Sequence, residues 1–165
     1  MKILVVSLLR LGDIVLTVPL LRELKKTHPE AEIHLLRNKQ FKLLEPLLSF
    51  VDKIHYFDRK VIQDSLVMAD RPLLEPYDRL LGFVQNLNKE EYNQIINVTH
   101  TKLSGWLCGM INANERLGLS YNSSGQASFG SPWFQYMNDY LTTNTGEIFH
   151  FADIFKYGAG SLRIF

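Results

Sequence analysis

Few residues of this chain are equipped for chemistry, and the best placed is an aspartate. Asp13 ends the stretch "RLGD", between the apolar run Ile3 to Leu9 and a second apolar run, Ile14 to Leu21. A carboxylate there has two uses. As a helix cap it accepts hydrogen bonds from the first free N–H groups and suits the helix dipole. As a general base it takes a proton from a hydroxyl that attacks an electrophile. The uses compete in part, because a carboxylate engaged as a cap is a weaker base. Gly12, beside it, reads either as a tight turn or as a point where a ligand nears the backbone. The remaining candidates are scattered. His28, His34, His55 and His150 show no metal-ligand spacing, so the sequence indicates no metal site. His150 and Asp153, one helical turn apart, read as a local hydrogen bond. Cys108, the single cysteine, lies in apolar "GWLCGM" and reads as a buried structural thiol.

Two familiar phosphate-binding loops are excluded. A dinucleotide turn needs G-x-G-x-x-G and a P-loop needs G-K-[ST]; here Gly12 stands alone after Leu9, Arg10 and Leu11. No cofactor is indicated.

The elements that must position these residues alternate. Residues 2–8, 32–37, 53–58 and 94–99 read as strands, with a short fifth in "ERLGLS". The first is apolar throughout, as a parallel strand covered on both faces requires. Helices are expected over 14–27, 39–49 and 77–88, a short one within "HTKLSGWLCGMINA", and two more over 132–143 and 146–159. Pro19 is expected to kink the first. Residues 59–76 show no single period, and Tyr121 to Gly130 read as a loop. The alternation predicts a doubly wound, Rossmann-like α/β domain, a parallel sheet with helices on both faces. Ligands of such sheets bind beyond the carboxyl ends of the strands, where "RLGD" and "THTK" lie.

Composition narrows the function. A chain of 165 residues fits a single domain with its own core. A net charge of +1 gives no electrostatic case for a nucleic-acid partner. No apolar run is long enough to span a membrane and no signal peptide is evident, so a cytoplasmic location is expected.

The opening "MKILVVSLLRLGDIVLTVPLLRELKKTHPEAEIHLL" resembles the lipopolysaccharide heptosyltransferases of glycosyltransferase family 9. The shared pattern is a strand, a loop ending in Leu11-Gly12-Asp13, then Thr17-Val18-Pro19-Leu20 and Pro29-Glu30-Ala31-Glu32-Ile33. "VDKIHYFD", "EYNQIINVTHTKLSGWLCGMINANERLGLS" and "HFADIFKYGAG" are also similar. The resemblance implies the N-terminal, acceptor-side half of a GT-B enzyme, with residues 1–165 as one domain and the C-terminal donor-binding domain absent. It implies an inverting, metal-independent transfer of heptose from ADP-heptose to the Kdo- or heptose-bearing lipid A core. In that reading Asp13 is the general base and Gly12 admits the acceptor. Arg10, Arg37, His100 and Lys102 are the candidate acceptor-binding residues, because the core sugars carry carboxylates and phosphates. Arg10 departs from the small polar residue common at its place. The chain alone is then inactive, lies at the inner membrane's surface, and self-associates through aromatic residues left exposed at the interdomain face. Two other readings stay open: a transferase of the same family with another acceptor, and a non-catalytic flavodoxin-like module that binds a ligand or partner.

Overall fold

The computed structural model describes residues 1–61, 74–143 and 149–160. Five parallel strands form the sheet: β1 (Lys2–Ser7), β2 (Glu32–Asn38), β3 (Lys53–Phe57), β4 (Tyr92–Asn97) and β5 (Ala113–Gly118). Their order is β3-β2-β1-β4-β5. The chain winds outward from β1 through β2 to β3, then returns to place β4 against the other side of β1. The doubly wound sheet expected from the sequence is therefore present, with its topological switch point between β1 and β4.

The central strands are buried on both faces, so consecutive residues serve opposite cores. Ile3, Val5, Ile33, Leu35 and Ile96 pack against helix α1 (Leu11–Thr27) and the late helices α4 (Pro132–Thr143) and α5 (Phe151–Gly158). Leu4, Val6, Leu36 and Ile95 pack against α2 (Leu74–Asn88) and α3 (Lys102–Met110), with Cys108 in this second core. Burial pushes the Cys108 thiol up to about 12, so it is inert, as its apolar flanks suggest.

Several local expectations change. Helix α1 begins at Leu11 rather than Ile14 and runs unbroken through Pro19. Residues 39–49 form a 3-10 segment (Lys39–Leu48), not an α-helix, with a break in helical backbone at Phe41. The expected loop after β5 contains a small antiparallel pair, β6 (Ser120–Tyr121) and β7 (Ala127–Ser128). His150 does not bond Asp153 through its side chain: its Nδ1 accepts the Ala152 N–H at 3.2 Å, and Asp153 pairs with Lys156 at 2.7 Å. Most of the aperiodic 59–76 stretch lies outside the described residues.

Candidate functional site

At the carboxyl end of the sheet, the loops after β1, β2 and β3 enclose a cleft of about 740 Å³. Its polar lining is mostly basic. Arg10 comes from the first loop, Lys39 from the start of the 3-10 segment, and Arg59 and Lys60 from the turn after β3. Asp58 is the acid among them. It pairs with Lys39 at 2.9 Å, and that bond holds its carboxyl below the usual range. Among the described residues Arg10, Arg59 and Lys60 have no ion-pair partner. The cleft thus presents uncompensated positive charge at the end of the sheet where such folds bind ligands.

Asp13 adjoins this cleft on the first turn of α1. Arg10 is the N-cap residue, and its backbone N–H donates to Asp13 Oδ2 at 2.8 Å. Asp13 is therefore the third helical residue reaching back to the cap, one half of a capping box. Both uses foreseen for this carboxylate meet in one group: one oxygen holds the helix start, and the half-buried side chain stays accessible. Thr17 ties the same turn to the sheet, its hydroxyl donating to Asp13 O at 2.7 Å and lying 3.2 Å from the Ser7 hydroxyl, whose proton can complete the pair.

Gly12 is exposed, and a Cβ built on it would meet nothing within 4 Å. Gly118 is the contrast. Its φ is +83°, and a Cβ there would lie 2.0 Å from Asn97 O. The fold demands glycine at 118 and does not demand it at 12. A glycine that weakens a helix without serving the packing is free to serve something outside the chain.

The structure moves Arg37 out of the site. It lies at the end of β2, fully buried. Its guanidinium donates to Phe41 O and to Glu45 Oε1, the latter at 3.2 Å, and sits 5.1 Å from the Tyr56 ring centroid. Arg37 props the 3-10 segment that forms one wall of the cleft, and its own charge is spent inside the protein. Lys39, two residues on, does face the cleft.

His100 and Lys102 stand on the loop between β4 and α3, across the switch point from Asp13. This loop is tightly fixed. Asn97 donates to Leu119 O at 2.7 Å and accepts the Thr99 N–H at 2.9 Å, and the Thr99 hydroxyl accepts the Leu8 N–H at 2.8 Å. Thr101 caps α3, accepting the Ser104 N–H at 3.2 Å. Lys102 is exposed on the first turn. His100 turns inward between Phe129 and Phe134, each ring centroid 5.8 Å away. Both its ring nitrogens are buried without a partner, and burial pushes the imidazole down to about 4. Neither residue lines the basic cleft. The structure therefore brings Arg10, Gly12 and Asp13 together, sets His100 and Lys102 on a neighbouring loop, and buries Arg37. It adds Arg59 and Lys60, which lie in the stretch that no sequence period defines.

A five-stranded parallel sheet with a switch point and a basic cleft at its carboxyl end defines a Rossmann-like ligand-binding fold. Solved structures similar to this chain include glycosyltransferases. A glycosyl transferase of family 9 from Veillonella parvula matches 96% of this chain and 40% of its own, at 19% identity and a TM-score of 0.67. The E. coli heptosyltransferase WaaC with ADP matches 98% of this chain and 48% of its own, at 14% identity and a TM-score of 0.66. The same enzyme with ADP-2-deoxy-2-fluoro heptose gives 15% identity and a TM-score of 0.67 over the same shares. The chain spans less than half the length of these proteins. No family profile and no curated protein sequence matches it.

Proposed function

We propose that this chain is the acceptor-binding half of an inverting glycosyltransferase that moves heptose from ADP-heptose to a lipopolysaccharide core. The observation that carries this reading is Asp13, bonded to the backbone of Arg10, which lines the basic cleft, with the exposed Gly12 between them in sequence. The glycine leaves room at the carboxylate, and the cleft offers Arg10, Arg59 and Lys60 to an anionic molecule. An acceptor sugar with carboxylates and phosphates suits those cations. Asp13 then removes the proton of the attacking hydroxyl, and the new oxygen–carbon bond forms as ADP leaves the anomeric carbon. This chain covers 48% of the heptosyltransferase chain it is similar to, and in this reading ADP-heptose is bound by the other part of such an enzyme.

The acceptor is a lipid, so the site must work at a membrane surface. No helix among the described residues is long and apolar enough to cross one. Leu9, Leu11 and Val15 are each more than 40% exposed around Arg10, a pattern that supports peripheral contact with an anionic bilayer. On the same face of the sheet as α1, Trp133 stacks on Tyr157 and meets Phe149, itself 42% exposed. This aromatic face supports self-association of the chain when no second domain covers it.

An NMR titration of the chain tests the reading. A soluble Kdo-containing core saccharide is expected to shift the amides around Arg10, Gly12, Asp13 and Arg59, while ADP shifts none. Tight ADP binding, or silence toward both, overturns it and favours a non-catalytic binding module in which Asp13 is only a cap.

A further inference from the structure

The amino end of the sheet, opposite the cleft, gathers a different set of groups. His34 on β2 and His55 on β3 lie side by side, and Glu90 approaches from the turn before β4. Their ligand atoms all fall within 4.8 Å of one another. Nothing in the sequence spacing of these residues announces this. The parallel register sets His34 opposite Lys53 and His55 opposite Leu36, so the two histidines are diagonal neighbours on one face of the sheet, and the α2–β4 turn brings Glu90 to them. Glu91, in that turn, holds a φ of +56°, a left-handed conformation that a residue with a side chain adopts at some cost.

We propose that His34, His55 and Glu90 form a site for one divalent cation of the zinc class, which staples β2 and β3 to the α2–β4 turn. His34 Nδ1 and His55 Nε2 are 3.3 Å apart. Two nitrogens bound at about 2.0 Å to a tetrahedral zinc stand about 3.3 Å from each other. Two imidazoles and one carboxylate are a zinc donor set that leaves one position for solvent. The outer groups also fit. His34 Nε2 lies 3.5 Å from Glu32 Oε2, so its other nitrogen is directed inward as a ligand's would be.

Without a cation the protein's own hydrogen bonds close the cluster. Tyr92 Oη lies 3.0 Å from His34 Nδ1 and 3.0 Å from His55 Nε2. One hydroxyl proton cannot serve two inward lone pairs, so without a cation one imidazole carries its proton toward the other. A neutral imidazole moves that proton to its other nitrogen when a metal takes the lone pair. Burial raises Tyr92 far above the usual phenol range, so it remains a neutral hydroxyl and not a phenolate ligand. Lys2 and Lys53 compete with a cation for Glu90. Both are partly exposed, and Lys2 has a second partner in Glu32 at 3.6 Å, so each can swing to solvent. The site lies at the far end of the strands from Asp13, so it stabilises the fold and takes no part in transfer.

The test uses the full chain, stripped with a chelator and titrated with Zn²⁺ by calorimetry and with Co²⁺ in the visible. One cation per chain is expected, with the intense visible absorption of tetrahedral Co²⁺ and a raised melting temperature. His55→Asn and Glu90→Gln are each expected to weaken binding about tenfold or more, with folding checked by circular dichroism. Lys53→Gln is expected to tighten it, since it removes a competitor and no ligand; a purely structural ion pair would give no gain. Absence of saturable binding by the unaltered chain, or equal binding by both ligand variants, overturns the proposal.

Discussion

The two ends of the sheet treat charge in opposite ways. At the amino end Lys2, Lys53, Glu32 and Glu90 neutralise one another, and His34, His55 and Tyr92 satisfy each other in a buried cluster. At the carboxyl end Arg10, Arg59, Lys60 and Lys102 have no acidic partner among the described residues. Charge that is closed within the protein holds the fold. Charge left open at the end where the strands deliver their loops is available to a partner. The strongest way to break this comparison is to change Asp13, which belongs to both descriptions. In a protein that joins this chain to a donor-binding domain, Asp13→Asn is expected to lower turnover by about 10²–10⁴-fold with acceptor affinity nearly unchanged. Steady-state kinetics beside an acceptor titration checks it. A variant with full turnover would leave Asp13 a cap and nothing more.

Arg37 and Arg10 sharpen the comparison next. Both stand at the carboxyl ends of strands, yet Arg37 is fully buried and Arg10 exposed. Arg37→Ala is expected to destabilise by about 3 kcal/mol, because it removes a fully buried side chain and leaves Phe41 O without its donor, Glu45 keeping only Tyr56. Arg10→Ala is expected to change stability by less than about 0.5 kcal/mol and to weaken acceptor binding instead. Urea unfolding of the two variants separates these roles. Equal losses of stability would mean that the first loop is as structural as the second.

The same pair shows what a sequence can disclose. The doubly wound parallel sheet and the buried thiol were legible, because continuous apolar strands alternating with helices have one economical solution. The place of Asp13 was legible to within a turn: the helix starts at Leu11, so the aspartate reaches back to the cap from the third position instead of occupying it. Arg37 was misplaced because a charged residue at a strand's end reads as exposed, and the Glu45 that buries it lies eight residues away on a segment expected to be a regular helix. The nearness of His34 and His55 was hidden for a related reason: spacing along the sequence does not show which side chains the register of adjacent parallel strands brings together. Arg59 and Lys60 lie where no period defines an element, so no pattern could aim them at the cleft.

Acid is expected to act through groups that the fold holds neutral. His100 is pushed down to about 4 and His55 to about 4, against an ordinary value of 6.5. Above pH 6.5 neither state binds a proton, and stability is flat in these groups. Between pH 6.5 and 4 the unfolded chain takes up protons that the folded chain refuses, so stability falls as pH falls. For His100, with no partner to share the charge, the loss approaches about 3 kcal/mol below pH 4. Glu90, held down to about 2 chiefly by Lys53, adds a further loss below about pH 4.5, where the unfolded chain protonates this carboxyl while the folded chain keeps it ionised down to about pH 2. Denaturant midpoints measured from pH 7 to 4 check the slope, and His100→Phe should remove part of it. A flat profile would mean that His100 has solvent access in the folded chain.

The smallest expected effect is the most discriminating between the chain's two kinds of glycine. Gly118→Ala forces a Cβ to within 2.0 Å of Asn97 O at a φ of +83°, so it must unsettle the β4–β5 junction. Gly12→Ala meets nothing within 4 Å and lies inside the first turn of α1, where alanine is the better helix former. It is therefore expected to raise stability by about 0.5 kcal/mol. If the space over Gly12 is where an acceptor hydroxyl reaches Asp13, that methyl group stands in its path. The more stable variant should then bind the core saccharide more weakly. Thermal unfolding and the NMR titration, run on the one variant, read both effects. A substitution that stabilises the fold and spoils the site locates the cost of the glycine in function; one that stabilises the fold and leaves binding intact removes Gly12 from the site and leaves Asp13 to be judged by turnover alone.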